Sequence, residues 1–208
     1  MEWNELGIEG SWAVVPKVYG DERGSFREAF RADEFAEVVG HPFHLQQMNI
    51  SVSKAGVVRG IHFAVLPESQ AKFVTCVRGA VIDVVVDIRL GSPTFGKWEM
   101  VELDSRDPKA VYLSEGLGHA FISLEDDSTV AYLCSTTYHP EREFGVAPFD
   151  PALGIEWPTQ DREGNPLVPI LSGKDMQAPN VAEAAETGIL PVYEEMVEFR
   201  KSLREQVG

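Results

Sequence analysis

The run Val57-Val58-Arg59-Gly60-Ile61-His62-Phe63 puts a cation and an imidazole on one short apolar stretch. The pattern reads as a buried β-strand carrying two polar side chains that need partners. An imidazole titrates near neutrality and accepts a proton when a carboxylate orients its other nitrogen. His62 is therefore a candidate general base, with a hydrogen-bonded core histidine as the alternative. Lys72 opens the strand-like run Lys72-Phe73-Val74-Thr75-Cys76-Val77, where alternation groups it with Val74 and Cys76. From that face an ammonium can neutralise a developing enolate oxygen, with Asp83 on a neighbouring strand steadying it; the alternative is a snorkelling lysine in a surface ion pair. Tyr132, central in Val130-Ala131-Tyr132-Leu133-Cys134, is either a general acid opposite a histidine base or an aromatic of a β-core, with Tyr138 as a loop anchor. Asp175, in Ser172-Gly173-Lys174-Asp175, reads as a helix cap or a surface charge.

The chain has 18 Lys and Arg against 33 Asp and Glu, a formal charge of −15 that argues against nucleic acid or an anionic membrane as partner. An anionic ligand must then meet local arginines, and Arg23 and Arg59 suit phosphate because a guanidinium fork matches its oxygens. On a regular strand Arg59 and His62 face opposite sides. Either Gly60 permits a bulge, or Arg59 serves another surface such as a second subunit's site. A metal site is not expected, because Ala64 stands where a His-x-His pair would be completed and the other histidines, His41, His44, His119 and His139, are remote in sequence. Cys76 and Cys134 lie in apolar runs without metal spacing and read as buried free thiols. The amino terminus lacks the regions of a signal peptide and no apolar run approaches membrane-spanning length, so the expected location is the cytoplasm.

The elements that must position these groups are mostly strands. From Leu45 to about Cys134 short strand candidates follow one another between turns, the signature of a sandwich, jelly roll or barrel. In the strongest, Ala80 to Arg89, Ile82, Val84, Val86 and Ile88 share one face and Asp83, Val85 and Asp87 the other, so an apolar core and a polar cavity can flank it. Upstream, two extended segments flank the turn Gly20-Asp21-Glu22-Arg23-Gly24, with Phe26, Glu28 and Phe30 on one face of the second. Asp33 is the expected N-cap of a helix through Val39 that stops at Gly40. The turn Ser114-Glu115-Gly116-Leu117-Gly118 delivers His119 at a strand start. After Pro140 the chain is loop-like, and from Ala182 it turns helical, broken at Leu190-Pro191 and resuming from Glu194 to Gln206. The expected division is a globular domain over 1–180 and a helical extension over 181–208.

With those residues in place, the chain resembles the dTDP-4-dehydrorhamnose 3,5-epimerase family, including the deoxysugar epimerases of antibiotic biosynthesis. The resemblance rests on Asp21-Glu22-Arg23-Gly24-Ser25-Phe26, Ser51-Val52-Ser53-Lys54, Val57 to His62, Gln70-Ala71-Lys72-Phe73-Val74, Val77 to Arg89, Gly91 to Gly96, Gly118-His119-Ala120-Phe121, Asp150 to Pro158 and Ile170 to Asp175. It implies an all-β, cupin-like jelly-roll barrel acting as a homodimer, without metal or redox cofactor, on a dTDP-4-keto-6-deoxyhexose. It further implies that His62, paired with Asp175, removes a proton next to the 4-keto group, that Lys72 stabilises the enolate, and that Tyr132 returns a proton from the opposite face. Arg23 and Arg59 would hold the diphosphate; Phe26, Glu28, Gln47, Asn49, His119 and Tyr138 would line the sugar and nucleotide pocket. Phe63 and Ala64 depart from the Tyr and Gln usual in rhamnose-pathway members, and the segment from Val181 to Val207 extends beyond their usual end. Both departures resemble antibiotic-pathway enzymes, some of which invert one carbon only. The competing functions are a ketoisomerase of the same nucleotide sugars and a non-catalytic sugar-binding module.

Overall fold

The computed structural model describes residues 1–205. Two antiparallel sheets face each other. One has six strands: β1 (Glu2–Glu5), β2 (Ser11–Val15), β5 (Gln47–Ser53), β7 (Lys72–Arg78), β10 (Ala110–Leu113) and β12 (Ser128–Cys134), in the spatial order β1-β2-β10-β7-β12-β5. The other runs β13-β6-β11-β8-β9, from β6 (Val58–Ala64), β8 (Ala80–Val86), β9 (Trp98–Asp104), β11 (Gly118–Ser123) and β13 (Glu143–Gly145). A separate hairpin joins β3 (Val18–Asp21) to β4 (Gly24–Arg27). This is the expected all-β, cupin-like jelly roll.

Between the sheets, Val74, Cys76, Val111, Leu113 and Val130 meet Val81, Val85, Leu103 and Phe121 in one buried cluster. The outward face of β8 is also apolar and has a cover: Val84 and Val86, with Ile88 just beyond the strand, pack against Val146, Leu153, Val181, Ala184 and Leu190. Strands buried on both faces lose the simple alternation of polar and apolar residues. The cover includes α3 (Val181–Glu186), which begins with a capping box between Asn180 and Glu183. The chain then continues into α4 (Tyr193–Glu205). Gln206, the expected end of this helix, lies outside the described residues. Cys76 and Cys134 are buried free thiols, as expected.

Two local expectations need correction. Helix α1 (Ala32–Val39) starts one residue before Asp33; its N-cap is Arg31, and no side chain caps it. Asp33 instead sits in the first turn and pairs with the Arg31 guanidinium, a favourable place for a carboxylate near a helix N-terminus. The predicted stop at Gly40 holds, with a positive φ of 89°. Phe26, Glu28 and Phe30 do not share a strand face, because β4 ends at Arg27. Phe30 turns into an aromatic cluster with Phe35, Phe43 and Phe73, whereas Phe26 is exposed and Glu28 pairs with Arg31.

Candidate active site

A cavity of about 770 Å³ opens between the two sheets, lined by His62, Lys72, Tyr132, Asp175, Gln47, Asn49, Arg59, His119 and Tyr138 among others. Its walls have separate origins. His62 and His119 come from β6 and β11 of the five-stranded sheet, while Lys72, Tyr132, Gln47 and Asn49 come from β7, β12 and β5 of the six-stranded one.

The alternation that separates Arg59 from His62 is broken at Gly60. His119 pairs with His62 but Phe121 pairs with Arg59, a register shift that spans the glycine. Gly60 has a φ of 116°, and a Cβ there would lie 2.4 Å from the His119 carbonyl oxygen, so the bend requires glycine. Both polar side chains consequently line one cavity. Arg59 donates from Nε to Ser53 Oγ at 3.1 Å and from Nη2 to the Val52 carbonyl at 3.3 Å.

His62 Nε2 lies 2.6 Å from Asp175 Oδ1. The second carboxylate oxygen accepts a hydrogen bond from Ser172 Oγ at 2.8 Å, and the same hydroxyl accepts from the Asp175 backbone N–H at 3.1 Å, so Ser172 caps helix α2 (Gly173–Met176) and fixes its carboxylate together. Burial pushes the Asp175 pKa up, but the hydrogen bonds from His62 and Ser172 and the charges of His62 and Lys174 hold it below the ordinary aspartate range. With Nε2 engaged by a carboxylate, Nδ1 is left as the proton-accepting atom.

Lys72 is buried, and among the described residues it has no salt-bridge partner, so the surface ion pair does not form. Burial lowers its pKa, and the fields of Cys134, Glu143 and Asp83 oppose that shift. Asp83 steadies it only through that field. One oxygen of its carboxylate meets His119, whose Nε2 lies 2.7 Å from Asp83 Oδ2, while Oδ1 is buried with no hydrogen-bond partner among the described residues. Tyr132 stands in register between Asn49 and Val74. Burial and the nearby Cys134 raise its pKa, against a side-chain hydrogen bond to Asn49, so at neutral pH the phenol keeps its proton. A side-chain rail runs along the same wall: Gln47 Nε2 donates to Asn49 Oδ1 at 2.9 Å, and Gln47 Oε1 accepts from the Tyr138 backbone N–H at 2.9 Å.

Arg23, Phe26 and Glu28 do not join this cavity within one chain. Arg23 lies on the exposed β3–β4 hairpin, paired with Asp21, and shares a separate shallow hollow with Phe26 and Tyr19. The structure adds residues that sequence reasoning missed, notably Gln70, Glu143, Phe144, Ser172 and Lys174. Glu143 sits in a segment that reads as loop, and only its pairing beside Ala64 on β13 brings it to the wall. Gln70, Ser172 and Lys174 stand within three residues of Lys72 or Asp175, and that nearness is the available signal. Among the described residues, no group of three His, Cys, Asp or Glu side chains could hold a metal ion.

A two-sheet barrel whose cavity sets an imidazole–carboxylate pair against an ammonium and a phenol has the groups to move a proton next to a carbonyl, which is isomerase chemistry. The family described as dTDP-4-dehydrorhamnose 3,5-epimerase matches residues 5–183. A dTDP-4-dehydrorhamnose 3,5-epimerase of Mycolicibacterium smegmatis is 53% identical over 206 residues, 98% of each chain. A dTDP-4-dehydrorhamnose 3-epimerase of Streptomyces niveus is 53% identical over 93% of this chain and 90% of that protein. The Mycobacterium tuberculosis rmlC epimerase superposes with a TM-score of 0.94 at 46% identity, covering 98% of this chain and all of that one. ChmJ, a 3'-monoepimerase from Streptomyces bikiniensis solved with dTDP-quinovose, gives 0.91 at 47% identity, covering 97% of this chain and 98% of that one. The chain belongs to the dTDP-4-dehydrorhamnose 3,5-epimerase family.

Proposed function

We propose that this protein is an epimerase of deoxysugar biosynthesis that inverts one or both carbons flanking the ketone of a dTDP-4-keto-6-deoxyhexose. The observation that carries the reading is the His62–Asp175 contact of 2.6 Å, set across the cavity from Lys72 and Tyr132. A proton beside a ketone is acidic only when the enolate charge is stabilised, and inversion requires acceptor and donor on opposite faces. His62 Nδ1 takes the proton, the Lys72 ammonium faces the enolate oxygen, and the Tyr132 phenol delivers a proton from the other sheet. Its raised pKa suits a donor rather than a base. Arg59 holds the diphosphate, while Gln47, Asn49, His119 and Tyr138 shape the sugar and nucleotide pocket, with Asp83 fixing His119. Incubation in deuterium oxide tests the reading: deuterium is expected at one or both carbons beside the ketone. A chain that binds the nucleotide sugar yet exchanges no proton would make it a binding module.

The working unit in this proposal is a cytoplasmic homodimer. Strand β5 is a sheet edge beside the cavity mouth, and its Met48, Ile50 and Val52 are 57, 66 and 58% exposed, an apolar row that a second copy would cover. Arg23 and Phe26, on an exposed hairpin in one chain, and Glu28 just after it, then complete the cavity of the other. Ile50→Glu is expected to yield monomers in sedimentation with weakened substrate binding; a parent that sediments as a monomer would refute the arrangement. The proposal also keeps the division at residue 180, with α3 and α4 as an appended helical layer. Among the described residues, no helix is long and apolar enough to cross a membrane.

A further inference from the structure

A carboxyl that the proposed reaction does not use lies outside the cavity, beside a smaller hollow of about 170 Å³ that it lines with Ser69, Ala71 and Ser135. Glu115 is 3% exposed, in the turn that leads into β11 and His119. Its Oε1 accepts from Ser135 Oγ at 3.4 Å, and its Oε2 has no hydrogen-bond partner among the described residues. A carboxyl is costly to bury, and burial raises its pKa.

The bonds around that turn account for its position. Ser135 Oγ, while donating to Glu115, accepts from the Ala71 backbone N–H at 2.8 Å, and the Ser135 N–H donates to the Ala71 carbonyl at 3.1 Å. Ala71 and Ser135 are the residues just beyond the Lys72–Cys134 pair, so these bonds extend the β7–β12 ladder at the point where Lys72 leaves it. One residue further along the turn, the Gly116 N–H donates at 3.1 Å to Ser69 Oγ, which donates at 2.7 Å to the carbonyl of Ala64, two residues after His62. The turn therefore ties together the ends of the strands that carry His62, Lys72 and Tyr132, and it feeds the strand that carries His119. Helix α4 packs over it closely enough that a Cβ on Gly116 would lie 2.7 Å from Met196.

The geometry points to Glu115 as a positioning residue for the proton transfer, acting through Ser135 to set Lys72 and Tyr132 against His62. This inference rests on the epimerase reading. A misplacement near 1 Å costs up to roughly a hundredfold in rate, so Glu115→Ala is expected to lower kcat by about tenfold or more while KM moves less than about twofold. Glu115→Gln keeps an acceptor for Ser135 and is expected to restore most of the loss. Ser135→Ala cuts the same link from its other end together with the bond from the Ala71 N–H, so it is expected to lower kcat by at least as much, and it stands in should Glu115→Ala fail to fold. A stability control separates positioning from general weakening: Leu190→Ala, in the outer apolar cluster, is expected to lower the melting temperature while keeping kcat.

Deuterium exchange and steady-state turnover of a dTDP-4-keto-6-deoxyhexose provide the readout. A folded Glu115→Ala or Ser135→Ala protein with parental kcat overturns the inference, as does an equal loss of kcat in Leu190→Ala. A parent protein that exchanges no proton overturns the epimerase reading itself, and this inference with it.

Discussion

Replacing Asp175 by Asn would change one atom and, on the geometry of the site, reverse the polarity of the base. The carboxylate accepts from Ser172 Oγ through Oδ2 and meets His62 Nε2 through Oδ1 at 2.6 Å. In the variant the amide oxygen is kept by Ser172, which can only donate to it while accepting the backbone N–H of residue 175. The amide NH2 then turns toward Nε2 and donates to it. Neutral His62 must in response carry its proton on Nδ1, the atom that has to accept one. Loss of a positioned general base costs roughly 10²–10⁴-fold. At 1.36 kcal/mol per tenfold that is about 3–5 kcal/mol of barrier. Because Asp175 engages the imidazole at Nε2 and the substitution keeps its shape, KM is expected to stay within about twofold and the loss to fall on kcat. The assay is position-resolved deuterium incorporation into the nucleotide sugar, followed by steady-state kinetics, with circular dichroism to establish that the variant is folded. A folded Asp175→Asn protein with kcat within about threefold of the parent, well inside the range expected for an intact base, would refute the tautomer argument.

Three further outcomes follow from the same arrangement. Tyr132→Phe is expected to keep deuterium exchange, since His62 still removes the proton, but to lose inversion by roughly 10²–10⁴-fold; inverted product at the parental rate would refute the donor role. Lys72→Met is expected to lower turnover by roughly 10²–10³-fold and to raise the melting temperature at neutral pH, because a buried ammonium is removed. Since burial lowers the Lys72 pKa, the unfolded chain binds more protons than the native one between that lowered value and the usual value of about 10.4, so the parent gains stability relative to the variant as pH rises through the window. A difference in urea unfolding free energy that is flat across that window would count against it. Asp175 works in the opposite range. Its carboxyl is held below the ordinary value of about 3.9, so its stabilisation is present above that value and disappears as pH falls through the lower folded one; Asp175→Asn should flatten the acid limb of the stability curve.

Much of this was legible along the chain because it is local. The strands from Gln47 to Cys134 follow from β-branched and aromatic runs bounded by turn residues, and the stop of α1 follows from Gly40. Asp33 misled because a capping residue type within the first turn looks the same in sequence as one at its start. The face bearing Val84, Val86 and, past the end of β8, Ile88 was expected to border a core, but what covers it arrives from Val181 to Leu190, about a hundred residues later.

For the site, the sequence by itself determined the inventory: an imidazole, a lysine, a phenol and a carboxylate with the right chemistry, and arginines in an otherwise acidic chain. The tertiary structure decided their company. It joined Asp175 to His62 across 113 positions, gave Asp83 to His119 rather than to Lys72, and let Gly60 turn Arg59 and His62 toward one cavity. It also left Arg23, Phe26 and Glu28 outside that cavity. The physical reason is that alternation tells which way a side chain points relative to its own strand, whereas partners depend on how strands from two sheets are registered and packed, and pairings that distant leave no local trace.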